Sequence, residues 1–149
     1  MPAHFRFRLQ KVLELREREL EQKQLELARA QADEARAMDA LDRARRERLD
    51  HDGRLRTVDT APVTPLDLRA RLVTTEALAR REDTARQELE AARQRTEAAR
   101  RRAIDAHHAV EVVDRLRDRA RARWQAGIDA QERKLLDDIQ SRYGEDPLA

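Results

Sequence analysis

Apolar residues recur along the chain at alternating steps of three and four residues, the spacing of a left-handed coiled-coil seam. In the first half, one series advances by sevens and is interrupted by Glu34 and Arg48. Its apolar members are Leu13, Leu20, Leu27, Leu41 and Leu55, and the interleaved series is Leu9, Arg16, Lys23, Ala30, Ala37, Ala44 and His51. In the second half the two series are Leu89, Thr96, Ala103, Val110, Arg117 and Trp124, and Leu78, Ala85, Ala92, Ala99, Ala106, Val113 and Ala120. This pattern predicts two long helices that pack against each other.

Helix-breaking residues concentrate in one stretch, residues 57–65, which reads TVDTAPVTP. Pro62 and Pro65 disfavour helix around them, and Thr64 before Pro65 suits an N-cap followed by the first helical position. We therefore expect helix one over about residues 3–55, a bend over about 56–64 and helix two over about 65–142. The predicted fold is all-α: a single domain over 1–149, a long antiparallel two-helix coiled-coil hairpin with unequal arms, whose C-terminal helix overhangs the N-terminus.

The apolar pattern allows two registers between the helices. If the numbers of paired residues sum to about 119, Leu27 faces Ala92 and Leu41 meets Leu78. If they sum to about 126, one heptad away, Leu27 meets Ala99 and Leu41 meets Ala85. Both registers place Leu27 opposite an alanine, so the pattern leaves the choice open.

In either register, about the last 20 residues of helix two project beyond the N-terminus. This overhang carries an apolar stripe, with Trp124 at its base: Ile128, Leu135, Leu136, Ile139 and Tyr143. Because the hairpin has no other helix to bury such a stripe, we expect it to bind a partner. The alternative is a structural coiled-coil module that homodimerises through the overhang.

Composition supports a helical protein and limits its chemistry. Charged residues make up 42% and aromatic residues 3% of the chain, which has no Cys, and the formal net charge is +2. Both signs of charge alternate along the chain, and Asp105, Glu111, Asp114 and Asp118 are interspersed near the Arg-rich stretch 115–123, so solvated helix faces are favoured over nucleic-acid binding. No apolar run approaches the roughly 20 residues that a membrane span requires. We expect a cytoplasmic protein.

Residue patterns typical of catalysis or cofactor binding are missing from the sequence. The three Gly lie far apart, Ser141 is the only Ser, and the four His do not fall at metal-ligand spacing. We therefore predict no enzyme activity, no cofactor, no metal and no small-molecule substrate.

Two segments resemble the FliJ family of flagellar export proteins: FRFRLQKVLELRERE at residues 5–19 and ERKLLDDI at 132–139. The layout is also similar to that of injectisome stalk proteins. The resemblance implies an antiparallel coiled coil similar to the central stalk of rotary ATP synthases. It implies three partners: the hexameric flagellar export ATPase, which the protein would stimulate, the cytoplasmic domain of the export gate membrane protein, and export chaperones. It also implies a peripheral location at the cytoplasmic face of the inner membrane.

The resemblance and the overhang together give candidate binding residues. For the ATPase they are Phe5, Phe7, Leu9, Gln10, Trp124, Ile128, Glu132, Lys134, Leu136, Asp137 and Ile139. For the export gate they are Leu66, Leu68, Leu72 and Val73, near the bend. Phe5 and Phe7 have an alternative role, which is to close the open end of the coil against Leu116 and Trp124.

Overall fold

A computed structural model of the protein describes residues 4–57 and 62–144. It contains two helices, α1 (Gln10–Arg56, 47 residues) and α2 (Pro65–Gly144, 80 residues), and no strand within those two ranges. The predicted all-α helical hairpin is therefore confirmed. Residues 58–61 of the predicted bend lie outside the described residues.

Contacts along the hairpin concentrate in two compact units. The bend unit comprises Gln22–Ile104, and the terminal unit comprises Met1–Glu21 together with Asp105–Ala149. Each unit combines part of α1 with part of α2.

The core of the bend unit alternates large and small side chains across the helix interface. Leu41 and Ala44 of α1 pack with Ala85 and Leu89 of α2, and Ala37 lies against this cluster. Small residues such as these let two helix backbones approach closely, and the leucines fill the space between them. The predicted heptad positions are therefore the positions that the fold buries here.

Polar contacts between the helices of the bend unit establish the register. The Thr96 hydroxyl donates a hydrogen bond to the Ala30 carbonyl at 3.2 Å, and His51 Nε2 lies 3.0 Å from Thr75 Oγ1. In both pairs the residue numbers sum to 126, in agreement with the Leu41–Ala85 packing. Of the two registers compatible with the sequence, the structure adopts the second.

The charged residues that interrupt the apolar series lie between the helices and pair across them. The Glu82 side chain is only 6% exposed, and three guanidinium groups surround it, from Arg48 at 2.8 Å, Arg86 at 3.0 Å and Arg45 at 3.7 Å. The Arg48 contact is an ion pair without hydrogen-bond geometry. A buried carboxylate needs such partners, because its desolvation costs several kcal/mol by order of magnitude.

Helix α2 begins with a reciprocal capping arrangement. The Thr64 hydroxyl accepts a hydrogen bond from the Asp67 backbone N–H at 3.2 Å. The Asp67 carboxylate accepts in return from the Thr64 backbone N–H at 3.2 Å and from the Thr64 hydroxyl at 2.7 Å. These bonds satisfy N–H groups that have no partner inside the helix, so the predicted start at Pro65 is confirmed.

Helix α1 begins at Gln10, whereas the sequence analysis placed its start near residue 3. In the segment before it, Phe5 and Phe7 are half-buried while Arg6 and Arg8 are exposed. On a helix, side chains two residues apart point in nearly opposite directions, so a helical segment cannot pack both aromatic rings on one side. Burial of the two rings therefore favours non-helical backbone here.

Candidate functional site

The candidate site lies in the terminal unit, where the segment before α1 meets the C-terminal part of α2. We call residues 4–9 and 115–144 the tip. The rings of Phe5 and Trp124 are 5.8 Å apart and inclined at 54°, a favourable arrangement for an aromatic pair. Phe5 thus closes the coil against Trp124, as the alternative interpretation of this residue predicted.

An open groove of about 620 Å³ runs between the two parts of the tip. Phe5 and Phe7 form its apolar wall, and three guanidinium groups, from Arg6, Arg117 and Arg121, lie around it with Gln10. Phe5, Phe7 and Gln10 were predicted from the sequence as binding residues, and the arginines were not. The alternation of Phe and Arg over residues 5–8 was the available signal.

Beyond Trp124, α2 continues to Gly144 with its side chains open to solvent. We call residues 125–144 the overhang; among them only Ile128 is partly buried. The large apolar residues remain exposed: Leu135 by 62%, Leu136 by 60%, Ile139 by 50% and Tyr143 by 82%. None of the charged residues of the overhang forms an ion pair with a residue that the structure describes.

Helix geometry divides the predicted ATPase-binding residues of the overhang into two groups. At about 100° of rotation per residue, Ile128, Leu136 and Ile139 lie on one side of α2, and Glu132 lies between them. Lys134 and Asp137 lie on the opposite side. Four of the six overhang candidates therefore lie on the side of the apolar stripe, and the other two do not share a surface with it.

The four predicted gate-binding residues all lie at the start of α2, in the bend unit, and are 57–76% exposed. Leu68 and Leu72 line a groove of about 320 Å³ with Leu55 of α1. Leu66 and Val73 do not line this groove. The structure therefore brings two of the four candidates together.

The described side chains show little that resembles a catalytic centre. A hydrogen bond from His108 lowers the pKa of the Glu111 carboxyl and outweighs the opposing effect of desolvation, and nearby His107 and Arg115 lower it further. No group of three or more His, Asp or Glu residues in the described ranges is arranged to hold a metal ion. Neither α1 nor α2 contains a stretch long and apolar enough to cross a membrane.

Comparison with known proteins identifies the family. The chain matches the family model described as "Flagellar FliJ protein" over residues 5–144 of its 149. No curated protein and no solved structure matches it. Members of this non-catalytic family have a role related to flagellar export. Because the match covers both helices and nearly the whole tip, the chain belongs to the FliJ family.

Proposed function

We propose that the protein is a non-enzymatic stalk and adaptor that binds the hexameric flagellar export ATPase through its tip and stimulates ATP hydrolysis. Family membership supports the general role in flagellar export. The location of the binding surface is argued from the exposed apolar stripe of the overhang.

The stripe is the observation that carries the proposal. Leu135, Ile139 and Tyr143 follow one another at four-residue intervals on a helix that no described residue covers, and Leu136 adjoins them. Transferring such a side chain from water into a partner contributes about 1.5–3 kcal/mol when burial is complete. Since each of these side chains is at least half exposed, about half or more of this free energy is available for binding.

The shape of a single helix suggests how binding could stimulate the enzyme. A six-fold ring presents six equivalent surfaces, but one apolar stripe can contact only some of them at a time. The contacted subunits then differ in energy from the others. Such an asymmetry favours one order of ATP turnover around the ring, and a stalk that only links components would not produce it.

The start of α2, in the bend unit, supplies a candidate contact with the export gate. In this proposal, Leu68 and Leu72 bind the cytoplasmic domain of the gate protein, while Leu66 and Val73 extend the exposed apolar surface beside them. Contact with the gate would hold the protein at the cytoplasmic face of the inner membrane. Export chaperones complete the proposed partners, and neither nucleic acid nor a small-molecule substrate is among them.

ATP hydrolysis by the export ATPase of the same organism tests the proposal. Leu136→Asp combined with Ile139→Asp places two carboxylates in the stripe. Ala130→Asp combined with Ser141→Asp is the matched control, because it adds two carboxylates on the opposite side of the same helix. We expect stimulation by the unmodified chain and by the control variant, and none by the stripe variant. Unchanged hydrolysis with the unmodified chain in molar excess would contradict the proposal.

The same stripe also suits a second candidate function, a structural module that homodimerises through the overhang. Light scattering separates the two, because the module predicts a species of twice 17.4 kDa that persists on dilution. The module also predicts that the stripe variant is monomeric, whereas the stalk proposal predicts a monomer for every variant.

A further inference from the structure

The hairpin brings two basic segments together at the base of the overhang. Between them they contain eight cations: Arg6, Arg8 and Lys11 from the N-terminal side, and Arg115, Arg117, Arg119, Arg121 and Arg123 from α2. We call these eight residues the basic collar. Asp118 is the only carboxylate within residues 6–11 and 115–123, so eight positive charges against one negative charge leave +7. The whole chain carries only +2, so positive charge is strongly concentrated here.

Aromatic packing holds the two parts of the collar next to each other. The Phe5–Trp124 pair fixes the N-terminal segment on α2, and the groove places Arg6 beside Arg117 and Arg121. Because Phe5 and Phe7 are turned inward, Arg6 and Arg8 are displayed on the outside. The two segments are separated by about 100 residues in the sequence, so only the fold creates this patch.

The collar differs from the rest of the hairpin in how its charges are compensated. In the bend unit a single carboxylate, that of Glu82, forms ion pairs with three arginines. In the collar, only Arg117 forms an ion pair with a described residue, Asp114. The remaining seven cations have no such partner among the described residues, and like charges that are close together raise the local potential for anions.

We infer that the basic collar binds a carboxylate-rich surface of the same ATPase that buries the overhang. This inference rests on the proposed function, since it assigns a second contact to the same partner. Arg117 and Arg121 of the collar lie on the side of α2 that carries the apolar stripe, so one partner surface can cover both. Guanidinium groups suit carboxylates in particular, because they form paired, charge-assisted hydrogen bonds with them.

The aromatic residues beside the collar favour a protein surface over single-stranded nucleic acid. Proteins that bind single-stranded nucleic acid stack bases on exposed aromatic rings. Here Phe5 packs on Trp124, and Phe7 is half-buried against the groove. The collar thus lacks the fully exposed rings that base stacking uses.

Association kinetics with the export ATPase test the inference. Arg6→Glu combined with Arg121→Glu reverses two exposed charges of the collar that line the groove, and Arg121 lies on the side of α2 that carries the stripe. Arg95→Glu combined with Arg102→Glu is the matched control, since these exposed arginines of the bend unit also lack an ion pair with any described residue. Charge steering changes association rates by about 10- to 1,000-fold, so we expect the collar variant to associate at least about tenfold more slowly at low salt.

The association rate of the control variant should lie within about twofold of that of the unmodified chain. The difference in rate between the collar variant and the unmodified chain should shrink as the screening length falls from about 30 Å at 0.01 M salt to about 8 Å at 0.15 M. Equal rates for the collar variant and the unmodified chain would overturn the inference, and so would an equal loss in both variants. Circular dichroism checks that each variant remains helical.

A second probe keeps failure of the inference distinct from failure of the proposed function. Immobilised poly-glutamate should retain the unmodified chain and the control variant but release the collar variant, whether or not the ATPase binds. If the ATPase does not bind the unmodified chain, the proposed function and the assigned partner fail, and selective retention on poly-glutamate still supports a carboxylate-binding collar. Tighter, collar-dependent binding to duplex DNA or to phosphatidylglycerol vesicles would overturn the choice of a protein partner.

Discussion

Replacing the buried ion pair of Glu82 and Arg48 with leucine should keep the hairpin stable but make its register less specific. Glu82 and Arg48 occupy positions of the seam that the heptad pattern would otherwise fill with apolar residues. Replacing a buried ion pair with apolar side chains of similar volume is often neutral, or stabilises by about 1–4 kcal/mol. We therefore expect Glu82→Leu combined with Arg48→Leu to retain the free energy of unfolding of the unmodified chain, or to raise it.

The register should nevertheless become less specific in this double variant. In the alternative register Arg48 moves away from Glu82, so the ion cluster is lost there, while the apolar pairs remain acceptable. A slip of one heptad displaces the helices by about 10 Å, at about 1.5 Å per residue. That displacement is much greater than the reach of a disulfide, whose Cβ atoms lie about 3.8 Å apart.

Disulfide formation reports the register directly, because the chain has no Cys of its own. Leu41→Cys with Ala85→Cys reports the observed register, and Leu41→Cys with Leu78→Cys reports the alternative. We expect only the first pair to cross-link in the otherwise unmodified chain and both pairs to cross-link in the double leucine variant. If the double variant cross-links only through the first pair, apolar packing alone sets the register, and the role assigned to Glu82 is refuted.

Glu82→Ala alone supplies the complementary measurement. It leaves Arg48, whose side chain is 42% exposed, beside the seam without its carboxylate. A lost hydrogen bond or contact to a charged group typically costs about 1.5–3 kcal/mol, and partial access of Arg48 to water should keep the effect near the lower end. Urea unfolding followed by circular dichroism should show this loss; an unchanged midpoint would contradict it.

Three further predictions concern other parts of the hairpin. Leu13→Ala removes a side chain with 0% exposure and should lower the free energy of unfolding by about 2–4 kcal/mol, whereas the same change at Leu15, 53% exposed, should cost far less in the same urea titration. Phe5→Ala removes the ring packed on the chain's single Trp and should shift its fluorescence emission to longer wavelength; an unchanged spectrum would refute the contact. Hydrogen bonds from Thr64 lower the pKa of the Asp67 carboxyl. The contribution of Asp67 to stability should therefore be present above its unfolded-state pKa and be lost as the pH falls through its lower folded-state pKa. NMR titration should show that Thr64→Ala raises the pKa of Asp67.

The candidate site could be predicted in part, because different features of it have different origins. The stripe of the overhang follows from helical spacing alone, so Ile128, Leu136 and Ile139 were identified from the sequence. Lys134 and Asp137 were carried over from the family resemblance, and helix geometry places them on the other side of α2. The groove arginines were missed because residues 6 and 121 become neighbours only through the fold.

By itself, the sequence determined that the protein is helical, where α2 begins, and which positions of each helix face the other. These properties depend on local helix propensity, on capping and on a seven-residue period, and all three are visible in the linear sequence. Even the charged interruptions at Glu34 and Arg48 keep the phase of the seam, and both pair with arginine or glutamate of α2.

The tertiary structure alone decided the register, the start of α1 at Gln10 and the assembly of the basic collar. A heptad repeat is unchanged by a shift of seven residues, so apolar spacing cannot distinguish the two registers. The distinction comes from polar contacts between the helices, such as Arg48 with Glu82 and the Thr96 hydroxyl with the Ala30 carbonyl, that form only when the helices are aligned one way. The collar likewise depends on contacts between segments about 100 residues apart in the sequence. Their charges add to one local potential only after folding has brought the segments together.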